Sequence, residues 1–439
     1  MEEVSLPHDS TSTSTASQAS QQNVIEALEA PTRPKSLAFQ LLYGLANAVI
    51  GIGNIVFYTI LLPARIAQVS PVNQTTTFIL ISALGAVASV ITNPLVGAWS
   101  DRTTSAMGRR RPWLLAGMVL MVLAMLVLAL ARATLVLALG AILLQIAVNV
   151  LLAALSAILP DQIPVAQRAT VSAFAGMAPL VGGVIGQILV AQVIKNIFVS
   201  FLGLALVSAL ILLVFIAVLR DLRLPREAVA PFQLKHVLAA FWLNPLKYSD
   251  FALTWLARCL IFLGSTTTIN YLNYFLQDAV HYSRVFPGQT VAQGVQLFYT
   301  TFVAAILVAS PGCGLLSDKL ERRKVFVIGA SLLMGVGLLL LASFPTWTIV
   351  LLAAAVLGTG FGAYLSVDLA LASQLLPTAQ DRGKDLGLIN TTIFLPMLIA
   401  PAIAGIALGG FHSYTILFVV LAAATACAAL LILPIRQVR

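Results

Sequence analysis

Long apolar segments separated by short polar stretches make up most of the chain. Twelve of them are long enough to cross a bilayer core of about 30 Å as helices. None alternates apolar and polar residues as a transmembrane β-strand does. The pattern predicts an all-α membrane protein with twelve transmembrane helices. The predicted spans are 39–62, 76–99, 113–132, 135–159, 171–193, 199–219, 251–276, 292–316, 325–344, 347–372, 386–408 and 413–434.

Two polar stretches divide the chain. Residues 1–35 include an uncharged Ser-, Thr- and Gln-rich part and lack the apolar region of a signal peptide, so a disordered cytoplasmic tail is predicted. Residues 220–250 form the longest polar connection between spans and predict a cytoplasmic central loop. Two six-helix bundles are therefore expected, at 36–219 and 251–439.

Composition and charge place the chain in a membrane and give it a direction. It is 59% hydrophobic and 9% charged, whereas soluble domains carry about 25% charged residues. With the N-terminus in the cytoplasm, 20 of the 25 Lys and Arg residues fall on the cytoplasmic side and four on the other. The positive-inside rule then predicts cytoplasmic termini in a plasma membrane, such as the bacterial inner membrane. The net charge of +9 is accounted for by loops facing anionic lipid, so no nucleic-acid partner is predicted.

Residues that usually carry chemistry form no recognisable site. The cysteines, Cys259, Cys313 and Cys427, lie in apolar segments without a CxxC spacing, and the four histidines are scattered. The chain has neither a Walker loop nor a nucleophile–base pair. We therefore predict that the protein is not an enzyme and binds no metal or cofactor.

A short motif occurs twice, each time between long apolar segments. Gly97 and Asp101 recur as Gly314 and Asp318, both at the same offset of nearly half the chain. The first copy continues into the basic stretch 108–111, and the second into 322–324. A repeat of this length in a membrane protein indicates two homologous bundles, with a substrate site where they meet.

This motif resembles the loop between helices 2 and 3 of the major facilitator superfamily and its copy between helices 8 and 9. The resemblance covers residues 36–439 and implies two pseudo-symmetric six-helix bundles that work by alternating access; a monomer is expected. In that family the glycine lets helices pack closely, and the aspartate caps or pairs near a helix start. A purely topological role for Arg109–Arg111 is the alternative. The implied cytoplasmic gate comprises Gly97, Asp101, Arg102, Gly108, Arg109 and Arg110, with Gly314, Asp318, Lys319 and Arg322 as its second copy.

The longer sequence around the motif indicates a substrate class. Residues 100–113 are similar to the loop of the glycoside–pentoside–hexuronide cation symporters, and most of all of the sucrose–proton symporters. Residues 376–387 are similar to bacterial members of that group. The resemblance implies import of a sugar or glycoside. Symporters for melibiose-like sugars carry acidic cation ligands in early helices, but spans 1 to 6 contain no Asp or Glu, so the expected coupling ion is a proton.

Span 5 supports a second hypothesis. Its stretch Ala178-Pro179-Leu-Val-Gly182-Gly183 resembles the Gly-Pro-x-x-Gly-Gly motif of proton-driven exporters, with Ala in place of the first Gly. Such residues can also serve only to bend a helix and pack it tightly. A proton-antiport exporter of small amphipathic compounds or drugs therefore stays open as the alternative. A non-transporting membrane sensor is a third possibility, disfavoured by the intact motif in both halves.

Two ionisable residues lie deep inside spans. Asp368 is in span 10 and Arg258 in span 7, each about two turns from the cytoplasmic end. The resemblance places helices 1, 4, 7 and 10 around a central cavity, so the two residues could meet. They would form either a proton-coupling pair, in which protonation of Asp368 frees Arg258, or a static bridge.

Neutral polar residues on three of these helices are the expected substrate ligands. Amides and phenols suit a neutral, hydroxyl-rich small molecule, although any one of them could simply bond a neighbouring helix. The predicted binding residues are Asn47, Asn54, Tyr58, Gln145, Asn149, Asn270, Asn273, Tyr274 and Gln277.

Overall fold

Twelve apolar helices are found in the residues that the structure describes, as the spacing of the apolar segments predicts. The computed structural model describes residues 34–193, 196–221, 249–320, 322–374, 392 and 395–435. The helices are α1 (Leu37–Val69), α2 (Gln74–Ser100), α3 (Arg111–Leu130), α4 (Thr134–Gln162), α5 (Val165–Ile188, continued by Leu189–Val193), α6 (Ile197–Val218), α7 (Ser249–Asp278), α8 (Val291–Leu320), α9 (Arg323–Ser343), α10 (Trp347–Gln374), α11 (Leu395–Gly410) and α12 (Tyr414–Ile432).

Eleven of these helices are long and apolar enough to cross a bilayer, and α11 is shorter. Residues 386–391 and 393–394, the start of predicted span 11, lie outside the described residues, as do 1–33 and 222–248. The predicted tail and central loop therefore remain predictions, as do the domain boundaries that they define. The all-α fold is confirmed.

Side chains at several helix starts accept the free backbone N–H groups found there. Ser36 accepts a hydrogen bond from the backbone of Phe39 before α1. Asn196 accepts from two backbone N–H groups before α6, and Ser413 does the same for one before α12. Polar residues flanking the apolar segments thus fix where these helices begin.

The helices alternate in direction between two faces of the molecule. We call them the Asp101 face, where α2, α4 and α6 end, and the Ser70 face, where α1, α3 and α5 end. Helices α1–α6 form the first bundle and α7–α12 the second. The pairs α2–α4, α3–α4, α3–α6 and α1–α6 pack together, and so do their counterparts α8–α10, α9–α10, α9–α12 and α7–α12. The two bundles are therefore pseudo-symmetric in the described residues.

Helices α1 and α5 pack so closely that their backbones are in direct contact. A Cβ atom added at Gly51 would lie 1.8 Å from the carbonyl oxygen of Pro179, and one at Gly182 would lie 2.2 Å from that of Ala48. Neither position can hold a side chain without a backbone shift. The Ala178–Gly183 stretch of span 5 thus packs against α1, and α1 continues from Gly51 into a π-helical segment, Ile52–Leu61.

The two bundles touch each other at the Ser70 half of the molecule. The ring of Phe78 on α2 contacts the rings of Tyr271 and Tyr274 on α7, with centroids 5.2 and 5.1 Å apart. The Gln192 amide on α5 donates to Gln296 on α8 at 3.1 Å. In the Asp101 half, an added Cβ at Gly97 would meet no atom of the described residues within 4 Å. The protein is thus held closed at the Ser70 face.

Candidate functional site

A cavity of about 380 Å³ lies between the two bundles, near the middle of the helices. We call it the central cavity. Helices α1 and α5 of the first bundle and α7, α8, α10 and α11 of the second line it. Three predicted binding residues reach it, namely Asn54, Tyr58 and Asn270. A concave space between two bundles, lined mostly by apolar residues and a few polar groups, is the usual form of a small-molecule site.

Several polar groups of the central cavity have unused hydrogen-bonding capacity. The Asn270 amide makes no hydrogen bond to any described residue. The hydroxyl of Tyr299 on α8 is buried and also lacks a partner in the described part of the chain. Thr266 adds a second hydroxyl, from the turn of α7 before Asn270. Buried polar groups of this kind are normally paired, so these groups are suited to bind a ligand that brings its own hydroxyls.

Aromatic rings form the apolar part of the wall. Phe262, Phe302 and Phe361 all line the central cavity. Phe302 and Phe361 stack with ring centroids 6.0 Å apart, and Phe262 packs edge-on against Phe361 at 5.5 Å. Rings locked against one another in this way offer a rigid apolar surface to a bound ligand.

Arg258 and Asp368 form a buried ion pair beside the cavity. Their side chains come from α7 and α10, and the residues are 7% and 4% exposed. The Asp368 carboxylate also accepts a hydrogen bond from the Tyr364 hydroxyl, and Arg258 Nε donates to Thr392 Oγ1 at 2.7 Å. Arg258 lines the central cavity, whereas Asp368 lies behind it. The pair therefore exists, and its assignment to proton coupling stays a prediction.

A second cavity of about 420 Å³ contains two other residues of the predicted α7 amide stripe. Asn273 and Gln277 line this space, which lies between the bundles at the Ser70 face. Tyr274, on the same helix, is buried against Phe78, and its hydroxyl has no partner among the described residues. The amide stripe of α7 is thus divided by depth, because Asn270 alone of the three amides reaches the central cavity.

The remaining predicted binding residues line neither cavity. Asn47 and Asn149 each donate to a backbone carbonyl four residues earlier in their own helix. Gln145 is buried, donates to Asn54 Oδ1 at 3.2 Å and accepts from Ser89 at 3.3 Å. It therefore orients a cavity residue from behind, while the amide nitrogens of Asn47 and Asn149 are bonded within their own helices.

The first copy of the repeated motif forms a network of charges at the Asp101 face. Arg110 pairs with Asp101 at 2.7 Å and with Asp161, at the end of α4, at 2.8 Å, and it donates to Ser100. Arg109 contacts the same Asp101 carboxylate at 3.0 Å. Burial alone would lower the pKa of Arg110, but the two carboxylates together raise it. Arg110 thus joins the ends of α2 and α4.

Asp221, just after α6, binds the end of the loop that connects α2 to α3. Its carboxylate accepts the backbone N–H groups of Arg110 and Arg111 at the start of α3, where the helix dipole favours a negative charge. Burial nevertheless raises the pKa of Asp221, and these hydrogen bonds offset part of that rise. A Cβ at Gly108, which has a φ of 103°, would lie 2.5 Å from the same carboxyl group. Only glycine suits this position.

Arg102 and the second copy of the motif are arranged differently. Arg102 donates to the backbone carbonyl of Ala98 at 2.7 Å. A Cβ added at Gly314 would lie 3.5 Å from Cβ of Ser366 in the same bundle. Lys319 and Arg322 are exposed. The side chain of Asp318 lies outside the described part of the chain. The role of all these residues in a gate remains a prediction.

One contact of the motif is repeated in both bundles. Arg111 donates to the carbonyl of Ile216 at the end of α6, and Lys324 donates to that of Leu433 at the end of α12. The offset from Ile216 to Leu433 equals that from Gly97 to Gly314, so these carbonyls occupy matching positions in the two halves. A cation that caps helix-end carbonyls is favourable in each bundle.

Sequence reasoning missed Asp161, Asp221, Tyr299 and Thr266. The two aspartates lie at helix ends, where acids are ordinarily solvated. Asp161 did carry a signal, because it follows the Leu-Pro pair at 159–160, which recurs at 376–377 with the offset of the motif. Tyr299 and Thr266 lie among apolar residues with no motif, and their role depends on the packing of α7 against α8.

The chain matches one family model over most of its length and two known transporters over shorter segments. The family model described as the Major Facilitator Superfamily matches residues 43–294 and 254–439. The Staphyloferrin B transporter of Staphylococcus aureus is 30% identical over 162 residues, which are 36% of this chain and 36% of that protein. The Sucrose transport protein SUT1 of Oryza sativa subsp. japonica is 50% identical over 44 residues, 10% of this chain and 8% of its own length. Neither match spans half of the relative.

Solved structures share the fold at low identity. A nucleoside transporter, NupG, superposes with a TM-score of 0.72 at 11% identity, covering 90% of this chain and 99% of its own. The xylose transporter XylE from E. coli, in an inward open conformation, has a TM-score of 0.68 at 15% identity, covering 91% and 95%. These identities support the likeness of fold alone.

Proposed function

Since the chain belongs to the Major Facilitator Superfamily, it is a multi-pass membrane transporter, and we propose that it imports a neutral sugar or glycoside together with a proton. The observation that carries the proposal is the set of neutral polar groups in the central cavity, Asn270, Thr266 and Tyr299. The expected orientation has the Asp101 face and both termini in the cytoplasm of a plasma membrane. The 44-residue match to a sucrose transport protein agrees with this substrate class.

The charge of the central cavity favours a neutral substrate. Among its lining residues, Arg258 carries the charge, and Asp368 neutralises it from behind. An anionic substrate would therefore compete with Asp368, and a cationic one would meet Arg258. A ligand with hydroxyl groups can instead pair with Asn270 and Tyr299 without any uncompensated charge.

The ion pair offers a route for proton coupling. Arg258 reaches the cavity and Asp368 does not, so substrate and proton can act on opposite ends of one pair. Protonation of Asp368 would release the Arg258 guanidinium, which could then donate to a substrate oxygen. Binding of substrate and binding of the proton would each favour the other, as linkage requires.

The closed Ser70 face supports alternating access. Phe78, Tyr271 and Tyr274 join the bundles there, whereas a Cβ added at Gly97, at the Asp101 face, has no neighbour within 4 Å in the described part of the chain. Under the predicted orientation this is an inward-facing state. Import would then require the Ser70 contacts to separate while the Asp101 face closes.

The test is counterflow and uphill uptake in proteoliposomes with a panel of radiolabelled sugars, with and without a pH gradient. We expect exchange of at least one sugar, and its accumulation when the outside is acidic. Asp368→Asn should abolish accumulation but keep counterflow. Asp278→Asn, at the exposed end of α7, is the matched control and should keep both. Accumulation by Asp368→Asn, or its restoration by Arg258→Ala/Asp368→Ala, would assign the pair a structural role only.

Proton-driven export of small amphipathic compounds is the second candidate. The observation favouring it is the aromatic wall formed by Phe262, Phe302 and Phe361, next to Pro179 of the span-5 motif. Flat apolar compounds would contact these rings well. Efflux of a dye with no exchange of any sugar in the same liposomes would select this function over import.

A further inference from the structure

The cavity at the Ser70 face, which we call the outer cavity, has two unlike walls. The first bundle supplies an apolar wall, chiefly from α1 between Ile60 and Ala67. The second bundle supplies a polar wall with the side chains of Asn273, Gln277 and Gln293. The space is thus amphipathic across the line where the bundles meet. Its lining shares no residue with that of the central cavity.

Asn273 is the residue that indicates a ligand. It is 8% exposed, and its amide makes no hydrogen bond to any described residue. Two other buried asparagines in the described residues differ, because the amide nitrogens of Asn47 and Asn149 donate to the backbone of their own helices, although Asn149 Oδ1 has no partner there. An unpaired amide that lines a cavity can form hydrogen bonds with a ligand that enters it. Gln277, one turn further along α7, likewise presents to the outer cavity an amide that bonds no described residue.

The rim of the outer cavity links the two bundles. Gln293 on α8 lines the cavity and donates to Gln192 on α5 at 3.4 Å, while Gln192 donates to Gln296 at 3.1 Å. An occupant of the cavity would contact both walls beside these bridging amides. Separation of the bundles at the Ser70 face would pull the walls apart, so the complete cavity exists only while that face is closed.

We propose that the outer cavity is a second binding site, for a neutral glycoside, and that its occupancy holds the Ser70 face closed. The sugar hydroxyls bind the unpaired amides of Asn273 and Gln277, and the aglycone lies on the apolar wall of α1. The choice of a glycoside rests on the proposed function. Since the ligand binds one of two states, it shifts the population toward that state by a factor of 1 + [L]/Kd. Excess glycoside on this side therefore inhibits transport.

Binding is measured with the full-length protein in lipid nanodiscs and tritiated phenyl β-D-glucoside as the probe. Two binding components are expected in the unsubstituted protein. Asn273→Ala should weaken one at least tenfold and spare the other, and Asn270→Ala should do the reverse. Gln74→Ala, which removes a half-buried amide at the Ser70 face that lines neither cavity, is the matched control and should keep both. Thermal unfolding of each variant verifies that it is folded.

The two components separate the two proposals. If Asn270→Ala leaves the binding curve unchanged while Asn273→Ala still weakens one component, the central sugar site is contradicted and the outer site stands. A binding curve unaffected by Asn273→Ala, or absent altogether, would overturn the outer site, whose cavity would then hold only water or a lipid chain. A second measurement is counterflow at rising probe concentration. Inhibition that disappears in Asn273→Ala supports the closing effect, and equal inhibition in both proteins refutes it.

Discussion

Replacing Gly51 by alanine is expected to destabilise the first bundle. The added Cβ atom would lie 1.8 Å from the carbonyl oxygen of Pro179 and 2.7 Å from its carbonyl carbon. Favourable contacts between heavy atoms lie near ~3.5 Å or beyond, so α1 and α5 would have to separate by roughly 2 Å. The obstructing atoms belong to the backbone and cannot rotate away.

Two opposing effects set the size of the change. Overpacking that forces a backbone shift costs about 1–3 kcal/mol, and occasionally more. Alanine is favoured over glycine inside a helix by about 1 kcal/mol. The backbone clash places Gly51→Ala at the upper end of the first range. A net loss of about 2 kcal/mol in the free energy of unfolding is therefore expected from the difference between the two effects.

The assay is thermal unfolding of the purified protein in detergent. Gly44→Ala is the matched control, because Gly44 lies in the same helix and its added Cβ would meet no atom within 4 Å. Gly44→Ala should retain or raise the midpoint, and Gly51→Ala should lower it. Equal midpoints for the two variants would refute the close approach of α1 and α5.

Four further substitutions test the Asp101 and Ser70 faces of the molecule. Gly97→Leu should leave the unfolding midpoint unchanged, because its surroundings are open in this state, yet slow transport by obstructing closure; a lowered midpoint would contradict this. Asp221→Asn tests the pKa of Asp221, which burial raises. The stability that protonated Asp221 contributes is present near pH ~4 and is lost as the pH rises through the folded pKa. Between pH ~4 and ~7, the unfolding midpoint of the unsubstituted protein should therefore fall relative to that of Asp221→Asn. A rise instead would contradict the raised pKa. Tyr271→Phe removes a buried hydroxyl without a partner among the described residues and should raise the midpoint, whereas Phe78→Ala should lower it; the same sign for both would argue against the contact between these rings.

The helices were predictable because a bilayer imposes both length and composition on them. Span 3 was expected at 113–132 and lies at Arg111–Leu130, and span 12 was expected at 413–434 and lies at Tyr414–Ile432. Each backbone polar group must be bonded within the helix, so an apolar run of this length has one stable form. Polar caps such as Ser36 then set the ends.

The division of the candidate site was not predictable from spacing. Asn270, Asn273 and Gln277 share a stripe of α7, so the sequence groups them. Seven residues of helix rise by about 10 Å, and over that distance the stripe passes from the central cavity to the outer one. The angle around a helix can be read from a sequence, but the depth at which two bundles enclose a space depends on how they pack.

In this state the charge network at the Asp101 face links helices of the first bundle to one another and does not connect the two bundles in the described residues. Asp101, Arg110, Asp161 and Asp221 all belong to the first bundle or to the segment that leaves it. A rocking motion of one bundle against the other would leave such contacts intact. In the sequence, the positions of the second half that match Asp161 and Asp221 at the offset of the motif are a Thr and a Val, so the second bundle lacks the same carboxylates. Asp101 is 55% exposed at its side chain even when paired, and a gate could therefore operate if Asp101 exchanged one of its arginine partners for a group on the second bundle as the Asp101 face closed.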